Sequence, residues 1–156
     1  VLYATDLSKN SAYAFRYAVN SAEKHDATIS IIYVVEQPRI LGAWVGDVSK
    51  LYQDIKPVQL NKMKARLEAI MKKELKDKPD AKKRIVEMAV LEGDPASTIL
   101  QKAEDMKADV LIMGTHSKGI ISHAFLGSVA SKILQRIRIP VLIIPIPKET
   151  DIAFHD

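Results

Sequence analysis

Short apolar runs rich in β-branched residues recur along this chain, and between them lie segments whose apolar residues return every three or four positions. That alternation is the strongest constraint on the fold, because strands buried on both faces need helices packed above and below them. Val1-Leu2-Tyr3-Ala4 reads as a first strand, followed by a helix with Ala12, Phe15, Val19 and Ala22 on its inner face and Ser8 or Asn10 as its cap. Thr28 to Val35 reads as the second strand, and residues 36–58, which lack a convincing period, as a long loop. From Leu60 the stripe Leu60, Met63, Leu67, Ile70, Met71 and Leu75 predicts a second helix, which Pro79 and Asp80 end. Ile85 to Leu91 is the third strand. Gly93-Asp94-Pro95 then offers a cap and a first-turn proline to a helix carrying Ile99, Leu100, Ala103 and Met106. Val110 to Met113 is the fourth strand, and a helix opening at Gly127-Ser128 turns Val129, Ala130, Ile133, Leu134 and Ile137 inward. Val141 to Ile144, between Pro140 and Pro145, is the fifth.

Five strands alternating with four helices predict an α/β domain over residues 1–147, with 148–156 as a C-terminal tail. Its core is a single open, mostly parallel five-stranded sheet of Rossmann-like form. A chain of 156 residues suits one such domain, and its 47% hydrophobic content can fill the core. Strand order 3-2-1-4-5 would set strands one and four side by side where the winding reverses, and such sheets bind ligands beyond the strand C-termini at that point. There the first strand ends at Ala4-Thr5-Asp6 and the fourth at Met113-Gly114.

The absence of cysteine excludes disulfides and thiolate metal sites, and the four scattered histidines form no HExxH cluster, so no metal site is expected. The net charge of +4 is local: residues 62–84 hold ten basic and four acidic side chains. Lys72, Lys73, Lys76, Lys82, Lys83 and Arg84 read as a solvated face opposite an apolar stripe. With no interleaved aromatics and no recognisable reading module, nucleic acid is not an expected partner. The apolar stretches fall far short of the roughly 20 residues that span a bilayer. Val1 opens directly on a strand-like run with no basic segment before it, so the expectation is a soluble, cytoplasmic protein.

Small and hydroxyl residues collect between the fourth strand and the helix after it. Gly114 lets a ligand approach the backbone, and Gly127-Ser128 brings unsatisfied N–H groups and a hydroxyl to a helix start, a combination suited to phosphate oxygens and equally to ordinary capping. The stretch is no P-loop, because no Gly-Lys-Ser/Thr follows its glycines and Lys118 precedes the flexible part. Asp6 reads equally as a ligand-facing carboxylate and as the cap of an Asx-turn. His116 reads equally as a ligand contact and as a solvent-facing loop residue.

Three motifs in order give the chain, over practically its full length, a resemblance to the universal stress protein family. Gly114-Thr115-His116-Ser117, nine residues and Gly127-Ser128 resemble that family's G-x2-G-x9-G-S/T. Ala4-Thr5-Asp6-Leu7-Ser8 is similar to its P-T-D-x-S turn, and Ile139 to Pro145 to its closing strand. The resemblance implies adenine-nucleotide binding, ATP first and AMP or ADP next, with Mg2+ reached through the phosphates. It implies that Asp6 and Val34 contact the nucleoside beside Ala4 and Thr5, and that Met113 lines the base pocket. Gly114, His116, Ser117, Gly127, Ser128 and Val129 would surround ribose and phosphates. Ser117 replaces the family's second motif glycine, a change expected to weaken such a site by roughly 1 kcal/mol if the turn needs positive φ. A homodimer through Val141, Leu142, Ile143 and Ile144 is also implied, and further protein partners fit the same picture. The implied role is binding or sensing in a stress response, without catalytic residues. A nucleotide-free dimeric scaffold and a slow ATP hydrolase are the alternatives.

Overall fold

The computed structural model describes residues 1–8, 11–36, 45–115 and 126–145. In chain order they form β1 (Leu2–Thr5), α1 (Ser11–Lys24), β2 (Ile29–Val35), α2 (Val45–Glu74), α3 (Pro79–Arg84), β3 (Ile85–Glu92), α4 (Pro95–Asp105), β4 (Leu111–Gly114), α5 (Ser128–Leu134) and β5 (Val141–Ile144). The strands form one sheet in the order β3-β2-β1-β4-β5, and every neighbouring pair is parallel. This is the sheet and the order that the alternation predicts.

Successive residues of the inner strands face opposite cores, as the two-residue period of a strand requires. Tyr3, Ile31 and Ile112 join Phe15 and Val19 of α1 and Leu67 and Met71 of α2 on one face. Leu2, Ala4, Ile32, Leu111 and Met113 join Ile99 and Ala103 of α4 and Ile133 of α5 on the other. Between Ile29 and Ser30 the β2–β3 register slips, since their partners are Ile85 and Glu87. Val86 is the extra residue of this bulge, which leaves it 62% exposed at the sheet edge.

Three expectations need correction: Leu134, expected to turn inward, is 46% exposed at the end of α5, and the other two concern α2 and the chain after it. Residues 45–58, within the expected loop, are the first half of α2. Residues 53–55 and 57–59 are exposed, so this stretch writes no apolar period. Pro57 lies inside the helix, where it gives up one backbone donor and need not end it. The chain after α2 also turns helical again at once. Pro79 sits at the start of α3, where its missing N–H costs nothing and its ring presets φ. Ala81 of this short helix is buried against the α1 face.

Candidate functional site

β1 and β4 are adjacent at the centre of the sheet, and the chain winds outward from them in both directions. Ala4 pairs with Met113, so the turn after β1 and the turn after β4 open side by side. The parallel ladder leaves a crevice beyond their C-terminal ends. A cleft of about 450 Å3 occupies it, walled by the β1 and β4 ends, the first turns of α4 and α5, and Gln59 of α2.

The turn after β1 is tightly tied. Thr5 Oγ1 accepts from the N–H of Leu7 at 3.2 Å, and Asp6 Oδ1 accepts from the N–H of Ser8 at 2.9 Å, which closes an Asx-turn. Leu7 is held at φ 57°, a left-handed conformation that costs a leucine about 1 kcal/mol. Its burial at 2% exposure helps to hold it there. The Ser11 hydroxyl donates to Ser8 O at 2.7 Å, and the Tyr3 hydroxyl donates to Ser11 O at 2.6 Å. Burial drives the Tyr3 hydroxyl well above its ordinary value, so it stays a neutral donor. Asp6 Oδ2 is buried and finds no hydrogen-bond partner among the described residues. One oxygen of Asp6 therefore serves the turn, while the other is buried without a donor among the described residues.

Across the crevice, the N–H of Thr115 donates to Ile144 O at 3.0 Å, and the N–H of Gly127 donates to Thr115 O at 2.9 Å. These bonds bring residue 127 back beside residue 115 and fix where α5 begins. Gly127 caps α5 at φ −58° without a side-chain bond. The glycine in the positive-φ region, among the described residues, is Gly93 at φ 149°, in the corner between β3 and α4. Its N–H donates to Val35 O at 3.1 Å, which seats that corner on the cleft rim.

Of the eleven residues named from sequence, Ala4, Thr5, Asp6, Val34, Met113, Gly114, Gly127, Ser128 and Val129 line this one cleft. His116 and Ser117 lie outside the described residues. Tyr33, Glu36, Asp94 and Lys132 also line it and were not named. Tyr33 reads as one more residue of a buried strand, but it is only half-buried, and burial raises its hydroxyl above the ordinary value. The signal for Asp94 was present, since Gly93-Asp94-Pro95 stands at a strand C-terminus on the ligand side of the sheet. Among the described residues, no three His, Cys, Asp or Glu side chains gather as a metal site would require. Nor is any described helix long and apolar enough to cross a membrane.

Comparison with known proteins agrees with this architecture. The model of the universal stress protein family matches residues 1–145. Universal stress protein MJ0531 of Methanocaldococcus jannaschii is 31% identical over 96% of this chain and 83% of its own length. A universal stress protein of Thermus aquaticus is 29% identical, over 92% of this chain and 96% of its own. Among solved structures, that of MJ0577 superimposes with a TM-score of 0.71 at 23% identity, covering 95% of this chain and 96% of that one. A universal stress protein solved in complex with cAMP superimposes at 0.55 with 22% identity, over 94% and 95% of the two chains. On the family match along almost its whole length, the chain belongs to the universal stress protein family.

Proposed function

We propose that this protein binds an adenine nucleotide, ATP first and ADP or AMP next, in the cleft at the ends of β1 and β4. Its role on this reading is that of a binding or sensing module in a stress response. The observation that carries the reading is the buried Oδ2 of Asp6, unpartnered among the described residues, in the wall of a cleft of about 450 Å3. A buried acceptor without a donor is costly, and a nucleoside brings hydroxyl or amine donors to satisfy it. The volume falls within the roughly 300–1,000 Å3 of small-molecule sites. Apolar Ala4, Val34 and Met113 would wall the base, while Gly114, Gly127, Ser128 and Val129 would face ribose and phosphates. The cAMP complex of a similarly folded universal stress protein supports an adenine nucleotide as the class of ligand. Mg2+ would enter with the phosphates, and Ser117 would weaken the site without abolishing it.

The same reading has the protein cytoplasmic and a homodimer through β5. Leu142 on that edge strand is 42% exposed and Leu134 of α5 is 46% exposed, giving apolar surface for a second copy. Titration calorimetry with ATP, ADP and AMP, with and without Mg2+, tests the nucleotide reading. Mass spectrometry of the small molecule retained on purification complements it. Absence of both heat and retained nucleotide in a folded sample would leave the scaffold reading. Sustained phosphate release in saturating ATP would instead favour the slow hydrolase.

A further inference from the structure

Among the described residues that line the cleft, Asp6, Glu36 and Asp94 are carboxylates and Lys132 is the cation. A phosphorylated ligand entering this crevice meets repulsion from the first three, so the placement of the lysine decides what the site accepts. Lys132 Nζ lies 3.6 Å from Asp94 Oδ1, with side chains 53% and 41% exposed. That separation is longer than the roughly 2.7–2.9 Å of a charge-assisted hydrogen bond, and exposed pairs of this kind contribute little to stability.

Asp94 does not depend on the lysine. Its Oδ2 accepts from the N–H of Ser97 at 3.0 Å, which caps α4. The hydrogen bonds from Ser97 are the main reason that its carboxyl lies below the ordinary value, with Lys132 a smaller contributor. α4 and α5 also share a buried apolar cluster, with Ile99 and Ala103 against Ala130 and Ile133. Arg136, just past the end of α5, donates from Nη1 to Ser97 Oγ at 3.1 Å and makes a separate link to the start of α4. Lys132, within α5, and Arg136, two residues past its end, both reach the start of α4, at Asp94 and Ser97. With the helices held by their apolar contact and Asp94 capped by Ser97, Lys132 can exchange its partner.

We propose that Lys132 is the specificity-determining cation of this cleft, leaving Asp94 for a phosphate of the bound ligand, so that phosphorylated ligands are ranked above the bare nucleoside. The proposal rests on the nucleotide reading above and adds to it the residue that reads the ligand's charge. Asp94 holds the ammonium at the rim when no anion is bound and competes with the ligand for it.

Titration calorimetry of the full chain with ATP, AMP and adenosine, on the unmodified protein and on Lys132→Met and Asp94→Asn, tests it. Methionine keeps an apolar stem and removes the charge, and asparagine keeps an oxygen to cap α4. Lys132→Met is expected to weaken ATP and AMP about tenfold and to leave adenosine within about twofold. Asp94→Asn is expected to tighten ATP about threefold, because its competitor for the lysine is gone. An equal loss for adenosine and ATP in Lys132→Met would make the lysine structural and overturn the proposal. Unchanged ATP affinity in both variants would overturn it as well. If the unmodified protein binds none of the three ligands, the nucleotide reading itself fails and takes this one with it. If it binds them and the variants do not discriminate, only the role of Lys132 fails.

Discussion

The carbonyl oxygen of Leu7 accepts a hydrogen bond of 3.0 Å from the guanidinium of Arg66, which joins the strained turn after β1 to the second half of α2. Leu7 stands at φ 57°, and this bond is one of the contacts that hold the turn in that form. Arg66→Met is therefore expected to cost about 1 kcal/mol, less than a buried charged donor because Arg66 is itself exposed. Urea unfolding would measure it. A loss below about 0.3 kcal/mol would mean that the turn holds itself without α2.

Asp6 has two oxygens with different duties, so two substitutions should separate them. Asp6→Asn keeps an acceptor for the Ser8 N–H and is expected to leave the unfolding midpoint nearly unchanged while weakening nucleotide binding at least about tenfold, or 1.4 kcal/mol. Asp6→Ala is expected to lose both the binding and about 1 kcal/mol of stability with the Asx-turn. Calorimetry and thermal melts on the same samples decide between them. Full affinity in Asp6→Asn would remove the carboxylate from the site.

Gly93 carries two separable constraints. A Cβ there would lie 2.5 Å from Thr98 Oγ1, and the backbone at φ 149° is one that side chains rarely adopt. Gly93→Ala is expected to destabilise the fold by about 1–3 kcal/mol. Adding Thr98→Ala should recover the steric part alone. Complete recovery in the double variant would show that the backbone conformation costs nothing.

Acid should loosen the β3–α4 face. Glu87 accepts from Lys102 Nζ at 2.7 Å and from the Ser30 hydroxyl, and these bonds, the lysine first, hold its carboxyl below the ordinary value near 4.5. Protonation breaks the pairing, so the contribution to stability is complete above the ordinary value and disappears as pH falls through the lowered one. In Lys102→Met the stability lost below pH 4.5 should be smaller than in the unmodified protein. Unfolding curves from pH 6 downward would reveal it. Parallel curves for the two proteins would assign the acid loss to other groups.

The edge strand offers a test of assembly with one suitable position. Ile144 is 3% exposed within the α1 face of the core, so a lysine there would unfold the chain and say nothing about pairing. Leu142, on the same face of the sheet, is 42% exposed, and Leu142→Lys is expected to yield folded monomers from a dimer at tens of micromolar. Sedimentation of the unmodified protein as a monomer would sink the dimer, whatever its affinity for nucleotide.

The central architecture was legible in the sequence because β1, β2, β4 and the inner faces of α1 and α4 are buried, and burial is what writes a period. The first half of α2 was not, because Asp54, Ile55, Val58 and Gln59 stay exposed and Pro57 looks like a stop signal. For the site, strand ends and glycines announced one wall, since the backbone conformation there is set locally. The pairing of Asp94, legible only as a cap, with Lys132 was not announced, for a different reason. They meet only through the packing of α4 on α5, a relationship between elements that no local spacing records.

The pairing of Leu2 with Leu111 has a consequence for how the molecule is built. The two strands at the centre of the sheet are among the most distant in the chain, so the middle of the fold is the part that must wait. A growing chain can lay β1, β2 and β3 together as soon as β3 is made, but β1 then presents an open backbone edge until β4 arrives. Contacts of such long sequence separation slow folding, and an unpaired strand is a place where chains stick to one another. The cleft that this arrangement creates therefore comes into being late, at the step that also closes the protein's most vulnerable edge.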